Sequence, residues 1–291
     1  MTIPKKRKLS SSYNNNSTLF LNIPYEIIIK ILPLITKSDL INLGLSCSKF
    51  HDFLKPYIYQ SITLSWKDLI LLEQGKLGIQ RINKFVEVLN INEYDIKKEW
   101  NFNYNSLTEV FGNLRKLKMN ISNSSNFLKY LNKDVMGLKE LELKSMSFES
   151  NLFNINHLIK FKDLKRLKLT GFVIDFDDKD TKIQYLELQD CFWNYPFNLE
   201  FFTGVRELIL NYSNQFILSE RFRFFIMNPV LPKLESLYIQ NHNPQLKLHI
   251  TESNLIKILQ KNNKIIKIQL FGNIETSINP QTCSNIKFLR S

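Results

Sequence analysis

From residue 59 to residue 270 one arrangement of apolar positions recurs, apolar-x-x-apolar-x-apolar. Seven copies are strong: Leu114-Leu117-Met119, Leu138-Leu141-Leu143, Leu164-Leu167-Leu169, Ile183-Leu186-Leu188, Val205-Leu208-Leu210, Leu234-Leu237-Ile239 and Ile265-Ile268-Leu270. Two weaker copies precede them, Tyr59-Ile62-Leu64 and Val86-Leu89-Ile91, and successive copies start 27, 28, 24, 26, 19, 22, 29 and 31 residues apart. One copy alone would say little. Nine at quasi-regular spacing predict stacked units, each unable to bury its apolar side without its neighbours. In a short strand alternate side chains point the same way. The second and third apolar residues of each copy are therefore expected to face a shared core, and the residues between and beside them the opposite, solvent side. Between the strands, Ser65-x-x-Asp68 ahead of Leu69 and Leu72 predicts a helix capped by Ser65. Residues 126–131, 220–227 and 254–259 also read as helices, the last capped by Thr251 or Ser253.

Upstream, the period changes. Leu19, Leu21 and Ile23 lead into Pro24, which suits a first helical turn, and Glu26 falls where the helix dipole favours an acid. Ile27, Ile31, Leu34 and Ile35 form one helical stripe. Ser38, ahead of Asp39, reads as the next N-cap, followed by a stripe of Leu40, Leu43 and Cys47. Phe50, Phe53, Leu54 and Tyr57 form a third stripe, ending near Pro56. A module of about 40 residues is close to the lower size limit for a self-sufficient core, so it is expected to lean on a partner or on the next domain.

Residues 1–18 read as a disordered basic tail, with almost nothing apolar to bury. Pro4-Lys5-Lys6-Arg7-Lys8-Leu9 has the form of a short nuclear import signal, an exposed row of cations. The net charge is +12, from 39 Lys and Arg against 27 Asp and Glu. Residues 1–60 contribute +5, four of those charges from Lys5 to Lys8, and the remainder of the chain +7. The repeat region is thus mildly basic, which counts against a polybasic nucleic-acid surface. Three cysteines, Cys47, Cys191 and Cys283, do not make a disulfide framework and fit a reducing compartment. No apolar run approaches the roughly 20 residues of a membrane span, and the N-terminus lacks the apolar segment of a secretory signal. Nucleus, cytoplasm or both is the expected location.

Ile23-Pro24-Tyr25-Glu26-Ile27, followed by Ile31-Leu32, closely resembles the opening of an F-box, and Ile35, Ser38-Asp39-Leu40, Leu43, Cys47 and Phe50 continue in register. Ile23 stands where Leu is usual and Phe50 where Trp is common, and both stay apolar. The repeat pattern resembles leucine-rich repeats. The expected fold class is α/β: a short all-α F-box module at residues 19–60, then a leucine-rich-repeat solenoid over residues 61–291, a curved parallel sheet of about eight or nine repeats with outer helices. The resemblance implies that the F-box binds a Skp-family adaptor and, through it, a cullin–RING ubiquitin ligase, while the repeats select a protein substrate. It places Ile23, Pro24, Glu26, Ile27, Ile31, Leu32, Leu40, Leu43 and Cys47 either against the adaptor or in the module's own core.

Catalytic and cofactor chemistry has no motif behind it. The four histidines are scattered, none stands at metal-ligand spacing from a cysteine, and there is no Cys-x-x-Cys, dinucleotide or P-loop pattern. Asp175, Asp177, Asp178 and Asp180 lack the Gly and Glu of a calcium loop and read as a solvated connection. Cys47 and Cys191 read as buried packing residues. No cofactor and no enzyme activity are expected.

On the solvent side of the strands, one row runs Lys118, Glu142, Lys168, Glu187, Ile209, Tyr238, Gln269, and the row before it Lys116, Glu140, Arg166, Tyr185, Glu207, Ser236, Lys267. The alternating signs predict a cross-strand ladder of ion pairs. That ladder also occupies Arg166 and Lys168, the first candidates for reading a phosphate. In the second half the row turns apolar, which places substrate contacts at Ile209, Tyr212, Tyr238 and Phe271. The sequence therefore reads as a non-catalytic substrate receptor of a ubiquitin ligase. The alternative is a structural F-box subunit of a nuclear, kinetochore-like or DNA-associated complex.

Overall fold

The computed structural model describes residues 23–46, 48–94, 107, 110–121, 137–146, 151–175, 181–193, 202–213, 231–245, 247–277 and 287–290. Lys5, Lys6, Arg7, Lys8, Cys47, Asp177, Asp178, Asp180, Cys283 and the helices expected at 126–131 and 220–227 lie outside the described residues. The chain divides into two compact units between Ser61 and Ile62.

The first unit is helical. Helix α1 (Tyr25–Ile31) starts immediately after Pro24, whose carbonyl accepts from Ile27 N at 3.0 Å and Ile28 N at 3.2 Å. Glu26 in its first turn and Lys30 in its last both complement the helix dipole. Pro33 has no N–H to donate, and the chain tightens into a 3-10 turn, Leu32–Leu34. Helix α2 (Lys37–Ser46) is capped by Thr36, whose Oγ1 accepts from Asp39 N at 3.2 Å. The cap thus lies two residues before the expected Ser38, which is inside the helix. Helix α3 (Ser48–Ile58) runs through Pro56 instead of ending there. Leu54 and Ile58, on either side of that proline, are both buried, and their packing holds the last turn despite the lost backbone donor. Leu32, Leu40, Phe50, Leu54 and Ile58 form the core, with Ile28, Ile35, Leu43, Phe53, Tyr57 and Tyr59 packed against it. Gly44 admits the third helix closely, since a Cβ there would stand 3.1 Å from Ile58 Cδ1.

The second unit is a parallel sheet of ten strands that follow one another in chain order: β1 (Ser61–Ser65), β2 (Val88–Tyr94), β3 (Lys116–Ile121), β4 (Glu140–Ser145), β6 (Arg166–Thr170), β8 (Tyr185–Gln189), β10 (Glu207–Tyr212), β11 (Ser236–Asn241), β13 (Lys267–Gly272) and β15 (Lys287–Arg290). Each strong copy of the apolar motif supplies one strand. Its three apolar residues are buried in all seven, for example Leu167 and Leu169 at 0% exposure. The pairing is in register from copy to copy, so Leu141, Leu167, Leu186, Leu208, Leu237 and Ile268 form one continuous inner row.

Several strands lead directly into a shorter one, and these pair into two further parallel sheets. One joins β5 (Asn151–Asn154), β7 (Phe172–Asp175) and β9 (Phe192–Trp193), the other β12 (Leu248–Thr251) and β14 (Ile274–Ser277). Three of the passages from a long strand to a short one turn on a residue with left-handed backbone: Gly171 at φ 73° before β7, Asp190 at φ 50° before β9 and Gly272 at φ 81° at the end of β13. Helix α4 (Trp66–Glu73) opens with a capping box, in which the Ser65 side chain accepts from Asp68 N and the Asp68 carboxylate from Ser65 N. Helix α5 (Glu252–Lys261) is capped by Thr251, whose Oγ1 accepts from Asn254 N at 3.3 Å.

Candidate functional site

Two surfaces stand out, one in each unit. The first is apolar. Of the ten large apolar side chains exposed among the described residues, six lie between Ile27 and Leu45: Ile27, Ile29, Ile31, Leu34, Ile41 and Leu45. Leu34 is 83% exposed and Leu45 74%. Ile27 and Ile31 share one face of α1, and Ile41 and Leu45 one face of α2, because residues four apart stand above one another on a helix. So the stripe of Ile27, Ile31 and Leu34 is a helical stripe that faces outward, while Ile28, Leu32 and Ile35 turn to the core. Covering a fully exposed side chain of this size contributes about 1.5–3 kcal/mol, so Leu34 and Leu45 have the most to gain from a partner and Ile29, Ile31 and Ile41 less.

Burial divides the residues of the F-box-like opening into core and surface. Leu32 and Leu40 are core residues, buried at 4% and 7% exposure, and Leu43 is packed on the core. Ile27, Ile31, Pro24 and Glu26 are exposed, and Ile23 is half-buried. The sequence reading missed Ile29, Ile41 and Leu45; the i, i+4 spacing of Ile41 and Leu45 was visible, but a stripe does not say which side of it is covered.

An F-box-like family model matches residues 20–65. The chain carries an F-box-like domain. No curated protein and no solved structure matches the chain. The matched segment takes in all three helices of the first unit, so the exposed apolar side chains belong to the F-box-like domain.

The second surface is the open face of the ten-stranded sheet. Its register places Lys118, Glu142, Lys168, Glu187, Ile209, Tyr238 and Gln269 in one row, strand by strand. The ion-pair ladder is present. Lys116 Nζ is 2.7 Å from Glu140, Lys118 Nζ 3.1 Å from Glu142 and Lys168 Nζ 2.7 Å from Glu187. Arg166 stacks on Tyr185, its guanidinium carbon 3.9 Å from the ring centroid, and also approaches Glu140 at 3.8 Å. Burial, and then the neighbouring Glu187 carboxylate that accepts from it at 3.0 Å, push the Tyr185 hydroxyl well above its ordinary pKa. Arg166 and Lys168 therefore both already have partners on the face.

Ile209 and Tyr238 are direct neighbours across β10 and β11, and Tyr238 pairs with Gln269. Phe271, two residues beyond Gln269, lies on the same face opposite Gln240. All three apolar residues are half-buried. Tyr212 is not among them. It stands two residues beyond Leu210, on the inner side with Leu208, and is 1% exposed. An odd step of three from Ile209 carries it to the opposite face.

A further row escaped the sequence reading: Asn120, Lys144, Thr170, Gln189, Asn211 and Gln240, paired in register and leading to Phe271. Apart from Lys144 it is uncharged and polar, and Asn120 Nδ2 donates to Asn92 at 3.4 Å. Its first half lines a shallow depression of about 420 Å³, together with Asn90, Lys118 and Glu142. Asn, Thr and Gln carry donors and acceptors together, which suits a peptide backbone. No cluster of metal-ligating side chains occurs among the described residues.

Proposed function

We propose that the protein is a non-catalytic substrate receptor of an SCF-type cullin–RING ubiquitin ligase. The F-box-like domain binds a Skp-family adaptor through its exposed apolar side chains, and the adaptor tethers the chain to the cullin. The long sheet is a leucine-rich-repeat solenoid whose concave side is the open face, and a protein substrate docks there against Ile209, Tyr238 and Phe271. The receptor contributes proximity, holding substrate lysines near the charged ubiquitin carrier, while partner enzymes supply the chemistry. Lys5, Lys6, Arg7 and Lys8 direct the chain to the nucleus.

The observation that carries this reading is the concentration of exposed Ile and Leu side chains in the one segment that matches a family model. Monomeric proteins rarely leave such a patch uncovered. Titration calorimetry of the purified chain against a purified Skp-family adaptor tests it. The native chain is expected to bind, and Leu34→Asp with Leu45→Asp is expected to abolish binding without lowering the unfolding midpoint. A native chain that does not bind the adaptor would overturn the reading.

A further inference from the structure

In a parallel sheet all strands start along the same edge, and here that edge is basic at its centre. One residue before each of β3, β4, β6, β8, β10, β11 and β13 the chain is already tied to its neighbour. Lys139 N donates to Arg115 O at 2.8 Å and Lys165 N to Lys139 O at 2.9 Å. Arg115, Lys139 and Lys165 therefore stand side by side, about 4.8 Å apart along the backbone row. All three are exposed. None forms an ion pair with an acid among the described residues.

Three like charges this close are well within the roughly 8 Å screening length of physiological salt, so they repel one another. Glu87 stands beside Arg115 at the end of the row, whereas Lys139 and Lys165 have only Arg115, each other and Gln184 as row neighbours.

The turns that lead into β6 and β8 add a pocket beside this row. It has a volume of about 290 Å³, a floor of Leu158, Phe161, Leu164 and Ile183, and Lys162 and Lys182 in its wall. Gln184, two residues after Lys182, donates its N–H to Lys165 O at 2.8 Å, which joins the pocket to the cationic row.

We propose that this edge is a docking site for an acidic peptide segment that carries an apolar side chain. Its carboxylates lie along Arg115, Lys139 and Lys165, and its apolar residue enters the pocket flanked by Lys162 and Lys182. Charge complementarity sets the occupant's sign. A nucleic acid would use exposed aromatic platforms for its bases, and the row of Arg115, Lys139, Lys165 and Gln184 carries no aromatic side chain. The site is distinct from the F-box-like domain and from the open face, and it does not rest on the function proposed for them.

The test is fluorescence polarisation with the full chain. The probe is a labelled peptide with a central Leu-Phe pair flanked on both sides by Glu and Asp, and an oligothymidine of equal charge serves for comparison. The peptide is expected to bind, more weakly as salt rises, and more weakly when Leu-Phe is replaced by Ser-Ser. Lys139→Glu with Lys165→Glu should weaken it at least about tenfold, and Lys139→Gln with Lys165→Gln should do so to a lesser degree. Lys257→Glu, on α5, should leave it unchanged. Four results would each overturn the proposal: no binding, binding indifferent to the charge reversals, tighter binding of the oligothymidine, or binding that appears only after Asp177→Asn, Asp178→Asn and Asp180→Asn. The last would mean that the chain's own acids are the occupant.

Discussion

The Lys267 ammonium donates to the Tyr238 hydroxyl at 2.8 Å and lies 4.7 Å from the centre of the same ring. The two residues sit on adjacent strands, β13 and β11, so the contact fixes the ring on the open face beside Ile209. A held ring loses little further entropy when a partner covers it, which suits an interface anchor. Ile209→Asp with Tyr238→Asp is therefore expected to abolish substrate capture while adaptor binding persists. Cross-linking and mass spectrometry of proteins retained by the wild type and by the variant measures this. An unchanged set of retained proteins would contradict it.

Leu40 and Ile41 are consecutive but face opposite environments, at 7% and 40% exposure. Leu40→Ala should cost about 2–5 kcal/mol of stability by opening a cavity. Ile41→Ala should change stability by no more than about 0.5 kcal/mol. Denaturant unfolding followed on the isolated variants reads the difference, and equal losses would show that the division between core and surface is wrong.

Gly272 combines a left-handed backbone, φ 81°, with a site where a Cβ would run into the Asn241 carbonyl. Left-handed conformation alone costs an L-residue about 1–2 kcal/mol. Gly272→Ala should thus lower the stability of the repeat unit by about 2 kcal/mol or more, seen as a lower denaturant midpoint with an unchanged slope. Gly75→Ala tests the other half of the argument. Its φ is also positive, at 65°, but a Cβ there meets nothing within 4 Å, so it should cost less.

Burial pushes the Cys191 thiol up to about 12, against about 9 for the free group. Between those values the unfolded chain has released its proton and the folded chain has not. The contribution is therefore complete below about pH 9 and is lost as pH rises toward about 12, by at most about 1.4 kcal/mol per unit. The stability difference between wild type and Cys191→Ala should shrink from pH 8 to pH 10. A difference that does not change with pH would contradict the burial of this thiol.

The main sheet was legible because its inner rows are almost entirely Leu, Ile and Val, which repeat without interruption from Val86 to Leu270. The last strand, β15, was missed for the complementary reason: Arg290 stands opposite Leu270, in a row that is otherwise apolar. The short companion strands carry no repeated motif. Three of them, β7, β9 and β14, follow a left-handed residue, and Asp190 shows why such turns were hard to read. It adopts a conformation usual for glycine, and its carboxylate accepts from Ser213 N at 2.7 Å as well as from the Ser213 hydroxyl. That partner lies 23 residues away. In the F-box-like domain the helices were legible, but periodicity alone could not say that Ile27 and Ile31 face outward while Leu32 and Leu40 face inward. That distinction depends on how three helices pack.

The most direct test of the receptor account is a pull-down of the tagged chain from extract, read for the Skp-family adaptor and the cullin together. It is run beside a Pro24→Ala, Ile27→Asp variant, in which both changes fall on exposed positions of the F-box-like domain. Adaptor and cullin should both copurify with the wild type and both be lost with the variant. Adaptor without cullin would contradict the ligase role and point to a structural F-box complex, and recovery of neither would contradict the F-box function itself.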